Sequence, residues 1–117
     1  MTQEPKEFDL EERTAVFGEN VILFMKRIER NEITRPLITQ LIKAATSVGA
    51  NYCEADDAES KKDFKHKIGI CKKEARETKH FLRMFATVFP DKKSEIRILW
   101  QEAKELNLIF NSIYKKL

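Results

Sequence analysis

The sequence predicts an all-α protein: an antiparallel up-down four-helix bundle that assembles as a homo-oligomer. Composition is the first observation. With 42% hydrophobic and 35% charged residues but only 3 Gly and 3 Pro, the chain is too apolar for disorder and too poor in turn formers for a many-stranded sheet. The second is helical spacing of apolar residues, which recurs in four stretches separated by short polar breaks. The third is the 35–82 segment, which reads as two amphipathic helices joined by an acidic turn. At 117 residues the chain is one domain by length, and a domain of that size hides roughly two-thirds of the surface its unfolded form exposes. Residues 1–8 are expected to form a disordered N-terminal segment and 9–117 the bundle.

The first helix is expected to start at Asp9, whose carboxylate can accept from exposed amides, with Glu12 three positions on completing a capping box. Leu10, Phe17, Val21, Phe24 and Ile28 then recur at helical spacing until Asn31 and Glu32 interrupt. Thr34 is the expected cap of a second helix, with Pro36 tolerated in its first turn and an end near Glu54. The rows Leu37, Leu41, Ala44, Val48, Tyr52 and Ile38, Ile42, Ala45, Gly49 predict contact over a wide arc, making this the most enclosed helix.

Ala55 to Glu59 is the expected turn, followed by a Ser60-x-x-Asp63 start. Phe64, Ile68, Cys71, Ala75, Thr78, Leu82, Phe85 and Phe89 mark a third helix of about seven turns. Pro90-Asp91 should end it and cap the next, where Ile96, Leu99, Ala103, Leu106, Phe110, Ile113 and Leu117 recur with a seven-residue period. Four long helices with short connections make the antiparallel bundle the economical arrangement.

Several function classes are excluded early. The longest apolar run, Val21 to Met25, is far short of a membrane span, and the first residues lack a basic start followed by an apolar stretch, so a cytoplasmic location is expected. Cys53 and Cys71 show no metal-type spacing and are expected as thiols filling helix faces, Cys71 within the apolar row. His66 and His80 stand about 21 Å apart along one predicted helix, too far to share a metal ion. No phosphate-cradling glycine loop, zinc pattern or nucleophile elbow is present, so no catalytic residue, metal or cofactor is expected. The acidic cluster Glu54, Asp56, Asp57 and Glu59 lacks the glycine and alternating ligands of a calcium loop, and suits a solvated turn before a helix start.

Three constellations remain. A polar row on the second helix, Gln40, Lys43, Ser47, Asn51 and Glu54, faces Lys67, Glu74, Glu77 and Thr78 on the third. The reading favoured is a hydrogen-bonded layer, drawn from Gln40, Ser47, Asn51, Glu74 and Glu77, that fixes helix register. Gly49 costs about 1 kcal/mol relative to alanine inside a helix and predicts close approach of another helix.

Charge is uneven: residues 60–88 hold nine cations against Asp63, Glu74 and Glu77, an excess of six in a chain whose net charge is +3. Lys61, Lys65, Lys72, Arg76, Lys79 and Arg83 share one face opposite the apolar row, a cationic rail suited to a phosphate backbone. Finally, Val21 to Met25, Leu37, Ile38, Phe81, Met84, Phe85, Val88, Phe89, Ile98, Leu99 and Trp100 converge on one end of the bundle. One core cannot receive them all, so Phe81, Met84, Phe85, Val88, Phe89 and Trp100 are the expected contacts between subunits.

The run Gln40-Leu41-Ile42-Lys43-Ala44-Ala45-Thr46-Ser47-Val48-Gly49-Ala50-Asn51-Tyr52 is followed by Glu54-Ala55, Ser60, Asp63-Phe64, Lys67-Ile68 and 73–78, Lys-Glu-Ala-Arg-Glu-Thr. Together these resemble the bacterial four-helix-bundle proteins encoded within intervening sequences of 23S ribosomal RNA genes, over about Phe17 to Tyr114. Phe81 stands where that family usually has tryptophan, and Cys53 where a small residue is common. The resemblance implies a closed bundle that assembles as a ring-like homopentamer, and it implies no catalytic residues. A related group of bundle pentamers serves diversity-generating reverse transcriptases as nucleic-acid-binding accessories, which favours a nucleic-acid partner by analogy.

The expected function is therefore that of a non-enzymatic oligomeric bundle that binds RNA, or nucleic acid broadly, through the rail, with little base selectivity. The alternative is a scaffold or adaptor whose rail meets an acidic protein. An enzyme built on Glu74 and Glu77 would need a base, nucleophile or metal set that the sequence does not supply.

Overall fold

The structure, a computed structural model, describes residues 9–117, so the expected disordered segment 1–8 lies outside the described residues. Among the described residues all regular structure is helical: α1 (Leu10–Met25), α2 (Thr34–Asp56), α3 (Lys61–Val88) and α4 (Lys93–Lys115), with a 3-10 turn at Pro90–Lys92. The long dimension of 44 Å matches α3, whose 28 residues span about 42 Å at 1.5 Å each.

Helix starts follow the sequence at two of four places. The Asp9 side chain accepts from the Glu12 amide at 3.2 Å, and Ser60 Oγ accepts from the Asp63 amide at 3.0 Å. At α2 the capping side chain is Asn31, not Thr34. Its Oδ1 accepts from the amides of Ile33 and Thr34, both at 2.9 Å, while the buried Thr34 hydroxyl accepts from the Asn31 amide and donates to the Glu29 carbonyl at 2.6 Å. A short polar side chain two or three residues ahead can close an Asx turn onto a helix start, and that option competes with the simpler cap. Asp91 likewise does not cap α4; the 3-10 turn leads directly into it without a side-chain cap.

Each helix packs mainly on its neighbours in sequence. Residue numbers rise on one partner as they fall on the other. Gly18 lies beside Thr46 and Gly49 beside Thr14; Cys71 Sγ lies 3.5 Å from the Val48 carbonyl oxygen while Lys67 meets Glu54; Asn107 Nδ2 donates to the Lys72 carbonyl at 2.8 Å while Gly69 meets Tyr114. The core holds Phe17, Val21, Phe24, Leu41, Val48, Ile68, Leu82, Phe85, Leu106 and Phe110, all of them in the apolar rows read from sequence, and also Met25, which those rows did not include. A build of Cβ on Gly49 would come within 3.2 Å of Thr14 Oγ1 and 3.5 Å of the Thr14 backbone carbon, so α1 does approach α2 closely there.

The fourth seam is different in kind. Helices α1 and α4 touch far less than any sequential pair. Arg13 bridges them, its Nε 2.7 Å from Glu102 and its Nη2 2.8 Å from Glu102 and 3.0 Å from Glu105, and Arg27 pairs with Glu95 nearer the other end. A carboxylate pair around Arg13 raises the guanidinium's affinity for its proton, with the Glu102 hydrogen bond the largest contribution.

Candidate nucleic-acid interface

Helix α3 is unbroken for 28 residues, so the rail exists as a continuous feature. Lys61, Arg76 and Arg83 are exposed, whereas Lys65, Lys72 and Lys79 are half-buried. The difference comes from α4. The ammonium groups of Lys65 and Lys72 lie 4.9 and 4.2 Å from the centroid of the Tyr114 ring, and that of Lys79 lies 5.7 Å from Trp100. The rail therefore runs along the α3–α4 junction rather than squarely opposite the core, with aromatic faces beneath its lysines. None of the six rail residues forms an ion pair among the described residues.

Sequence reasoning missed the α4 half of this surface. Lys93, Arg97, Trp100 and Lys104 follow one another at spacings of four, three and four, which places them on one helical face. The ammonium group of Lys104 also lies 5.7 Å from the Trp100 ring centroid. Arg83, Ala86, Lys93, Ile96, Arg97, Trp100 and Gln101 line a groove of about 440 Å³. Gly69 was missed too: it leaves the space in which Tyr114 lies between Lys65 and Lys72, since a Cβ there would sit 3.2 Å from Tyr114 Cε1.

The polar layer forms differently from the expectation. Asn51 Nδ2 donates to the Ser47 carbonyl of its own helix at 2.9 Å, Gln40 is exposed, and among the described residues no hydrogen bond joins these side chains to Glu74 or Glu77. The charged link between α2 and α3 is Lys67 Nζ to Glu54 Oε1 at 2.6 Å, which raises the lysine's pKa. Side chains with a carbonyl of their own helix one turn back take the local bond at less entropic cost than a cross-helix one. Glu74 is half-buried, and desolvation first, then the neighbouring Glu77, hold its carboxyl above the usual range, with Lys73 and Lys43 opposing.

The expected subunit-contact residues divide. Phe85 is fully buried inside its own subunit and cannot present a surface, so that assignment is corrected; α3 turns Phe85 onto the row of Thr78 and Leu82. Phe81, Met84, Val88 and Phe89 are half-buried, and Trp100 lines the cationic groove. Large apolar side chains exposed at that end include Ile98, Ile33 and Leu23, at 72%, 63% and 57%, with Leu23 and Ile98 on the two sides of the thin α1–α4 seam.

The cysteines also divide. Cys71 is buried as expected, and burial pushes its thiol up to about 12, but Cys53 is exposed rather than packed. Among the described residues no three His, Cys, Asp or Glu side chains are grouped to hold a metal ion, and no helix is long and apolar enough to cross a membrane.

Comparison with known proteins points to one family. The profile of the 23S rRNA-intervening sequence proteins matches residues 6–112, nearly the whole chain. The chain belongs to that family. A crystal structure of a protein of unknown function from the S23 ribosomal protein family of Bacteroides thetaiotaomicron is similar at 26% identity and a TM-score of 0.82, covering 90% of this chain and 97% of that one. No curated protein matches. In this member of the intervening-sequence family, Phe81 packs half-buried against the core, and Cys53 is exposed beside the α1–α2 groove.

Proposed function

We propose that this intervening-sequence family member is a non-enzymatic, antiparallel up-down bundle that assembles as a homo-oligomer and binds RNA, or nucleic acid broadly, along the α3–α4 junction. One observation carries the reading: Lys61, Lys65, Lys72, Arg76, Lys79 and Arg83 span about 33 Å of unbroken helix without a carboxylate partner among the described residues. A row of cations at helical spacing matches a phosphate backbone, whose neutralisation releases counterions and makes binding steeply salt-dependent.

The opposite sense of the residue pairs in each neighbouring helix couple supports the up-down arrangement. Assembly is supported by apolar surface of two kinds at one end: Leu23 and Ile98 at the α1–α4 seam, and Met84 and Val88 on the part of α3 turned away from the rail. Two distinct patches suit a heterologous contact, which closes into a ring when the rotation allows, and the family resemblance suggests five subunits. Such a ring would leave the rail free and repeat it around the assembly.

The deciding experiment is electrophoretic retardation of a structured RNA by the wild-type protein and by the triple variant Lys72→Glu, Arg76→Glu, Lys79→Glu. Retardation should vanish in the variant with helicity unchanged. Undiminished retardation would remove the site, and partners captured from a nuclease-treated lysate through the rail would favour an acidic protein instead.

A further inference from the structure

We propose that the groove around Trp100 takes an unpaired nucleobase from a bound strand, so that the α3–α4 surface favours single-stranded over fully paired nucleic acid. This inference rests on the reading of the rail as a nucleic-acid interface and goes beyond it, since the rail alone reads only phosphates.

The groove has the composition that such a ligand needs. Its volume of about 440 Å³ falls within the roughly 300–1,000 Å³ typical of small-ligand sites. Ala86, Ile96 and the half-buried indole of Trp100 give it an apolar wall, and Arg83, Lys93 and Arg97 stand around it with no acidic residue in the lining. Lys79 and Lys104 approach the same indole, both with ammonium groups 5.7 Å from the ring centroid. Five cations in and beside one groove are unfavourable to one another unless an anion joins them. None of the five is paired with a carboxylate among the described residues.

A phosphate by itself would satisfy the cations and leave the indole unused. An aliphatic or acidic peptide would use the wall or the charge but has no flat ring to match the indole. A nucleotide uses both, because base stacking on an aromatic ring accepts any base and the flanking phosphates meet the arginines and lysines. Gln101 adds a neutral amide at the rim, a donor and acceptor for a base edge. Arg83 belongs to the rail and to the groove alike, and the rail's Lys79 approaches the same indole, so a strand held along α3 passes Trp100. A duplex hides its base faces in its own stack and can contact only the phosphate-binding part.

Trp100 is the only tryptophan in the chain, so intrinsic fluorescence reports on this groove directly. The wild-type protein is titrated with a single-stranded RNA oligonucleotide, the same RNA fully base-paired, and inorganic polyphosphate, with binding followed separately by anisotropy or mobility shift. The single strand should quench Trp100 strongly, while duplex and polyphosphate bind with little quenching. Trp100→Leu, which keeps apolar packing, should weaken single-strand binding by about 5- to 150-fold and leave duplex binding within about twofold. Single-strand binding without quenching, equal quenching by polyphosphate, or an equal loss for both RNAs in the variant would overturn the groove assignment and leave the rail standing. Failure of every probe to bind would overturn both.

Discussion

Tyr114, near the end of α4, lies across Gly69 of α3, and its ring is bracketed by the ammonium groups of Lys65 and Lys72 at 4.9 and 4.2 Å from the ring centre. One missing Cβ thus lets an aromatic ring hold two rail cations at a fixed separation. Gly69→Val should displace the ring, costing about 1–2 kcal/mol in urea unfolding through overpacking and weakening RNA binding as the two lysines lose their platform. Tyr114→Leu, which leaves the space filled, should lower RNA affinity by less than threefold.

Gly49 and Gly18 offer a paired test of the α1–α2 contact. A Cβ at Gly49 meets the stiff side chain and the backbone of Thr14 at 3.2 to 3.5 Å, whereas one at Gly18 meets Thr46 at an ordinary 3.7 Å. Gly49→Ala should therefore destabilise by about 1–3 kcal/mol, the crowding outweighing the gain in helix propensity. Gly18→Ala should be neutral or stabilising by up to about 1 kcal/mol. Thermal unfolding by circular dichroism separates the two.

Arg13 is the main polar tie across the α1–α4 seam, with a side chain only 17% exposed. Arg13→Ala should cost about 1–2 kcal/mol, since two charge-assisted hydrogen-bonded partners are left behind. Arg27→Ala, which removes the exposed pair with Glu95, should cost less than about 1 kcal/mol. Hydrogen exchange should quicken across α1 in the first variant and barely change in the second.

Glu74 predicts a pH dependence of definite sign. Its carboxyl is held above the ordinary value by burial and by Glu77, so the native state binds its proton more tightly than the unfolded chain does. Stability gained from that proton is fully present below the unfolded carboxylate pKa and is lost as pH rises through the raised native value. Glu74→Gln should thus raise the melting temperature at pH 7, and the difference from wild type should shrink to nothing in acid.

The two thiols should differ in reactivity. Iodoacetamide should modify the exposed Cys53 in the native protein and reach Cys71 only after urea is added, because burial keeps that thiol protonated near neutral pH. Mass spectrometry of the labelled peptides counts the sites.

The helices, the core rows and the close approach at Gly49 were legible in the sequence because periodicity and small residues act within one helix or across one contact. The rail was legible as a spacing, but its position was not. Lys65, Lys72 and Lys79 owe their half-buried state to Tyr114 and Trp100, more than twenty residues away, and only the packing of α3 on α4 brings them together. The Asn31 cap and the Asn51–Ser47 bond were misread for a shared reason. Short polar side chains choose between several nearby backbone groups of similar worth, and spacing does not rank those choices. Phe85 was placed at a subunit contact by counting apolar residues at one end, yet the core had room for it.

Three sides of this molecule are fastened by interlocked apolar side chains, and the fourth by arginines gripping carboxylates. Dissolved salt should consequently weaken the ion pairs of the α1–α4 seam, and under the proposed function it would also weaken phosphate contacts along the rail. A salt series followed with Arg13→Met beside the wild type would split those responses, because the variant has no Arg13 ion pair left for salt to screen.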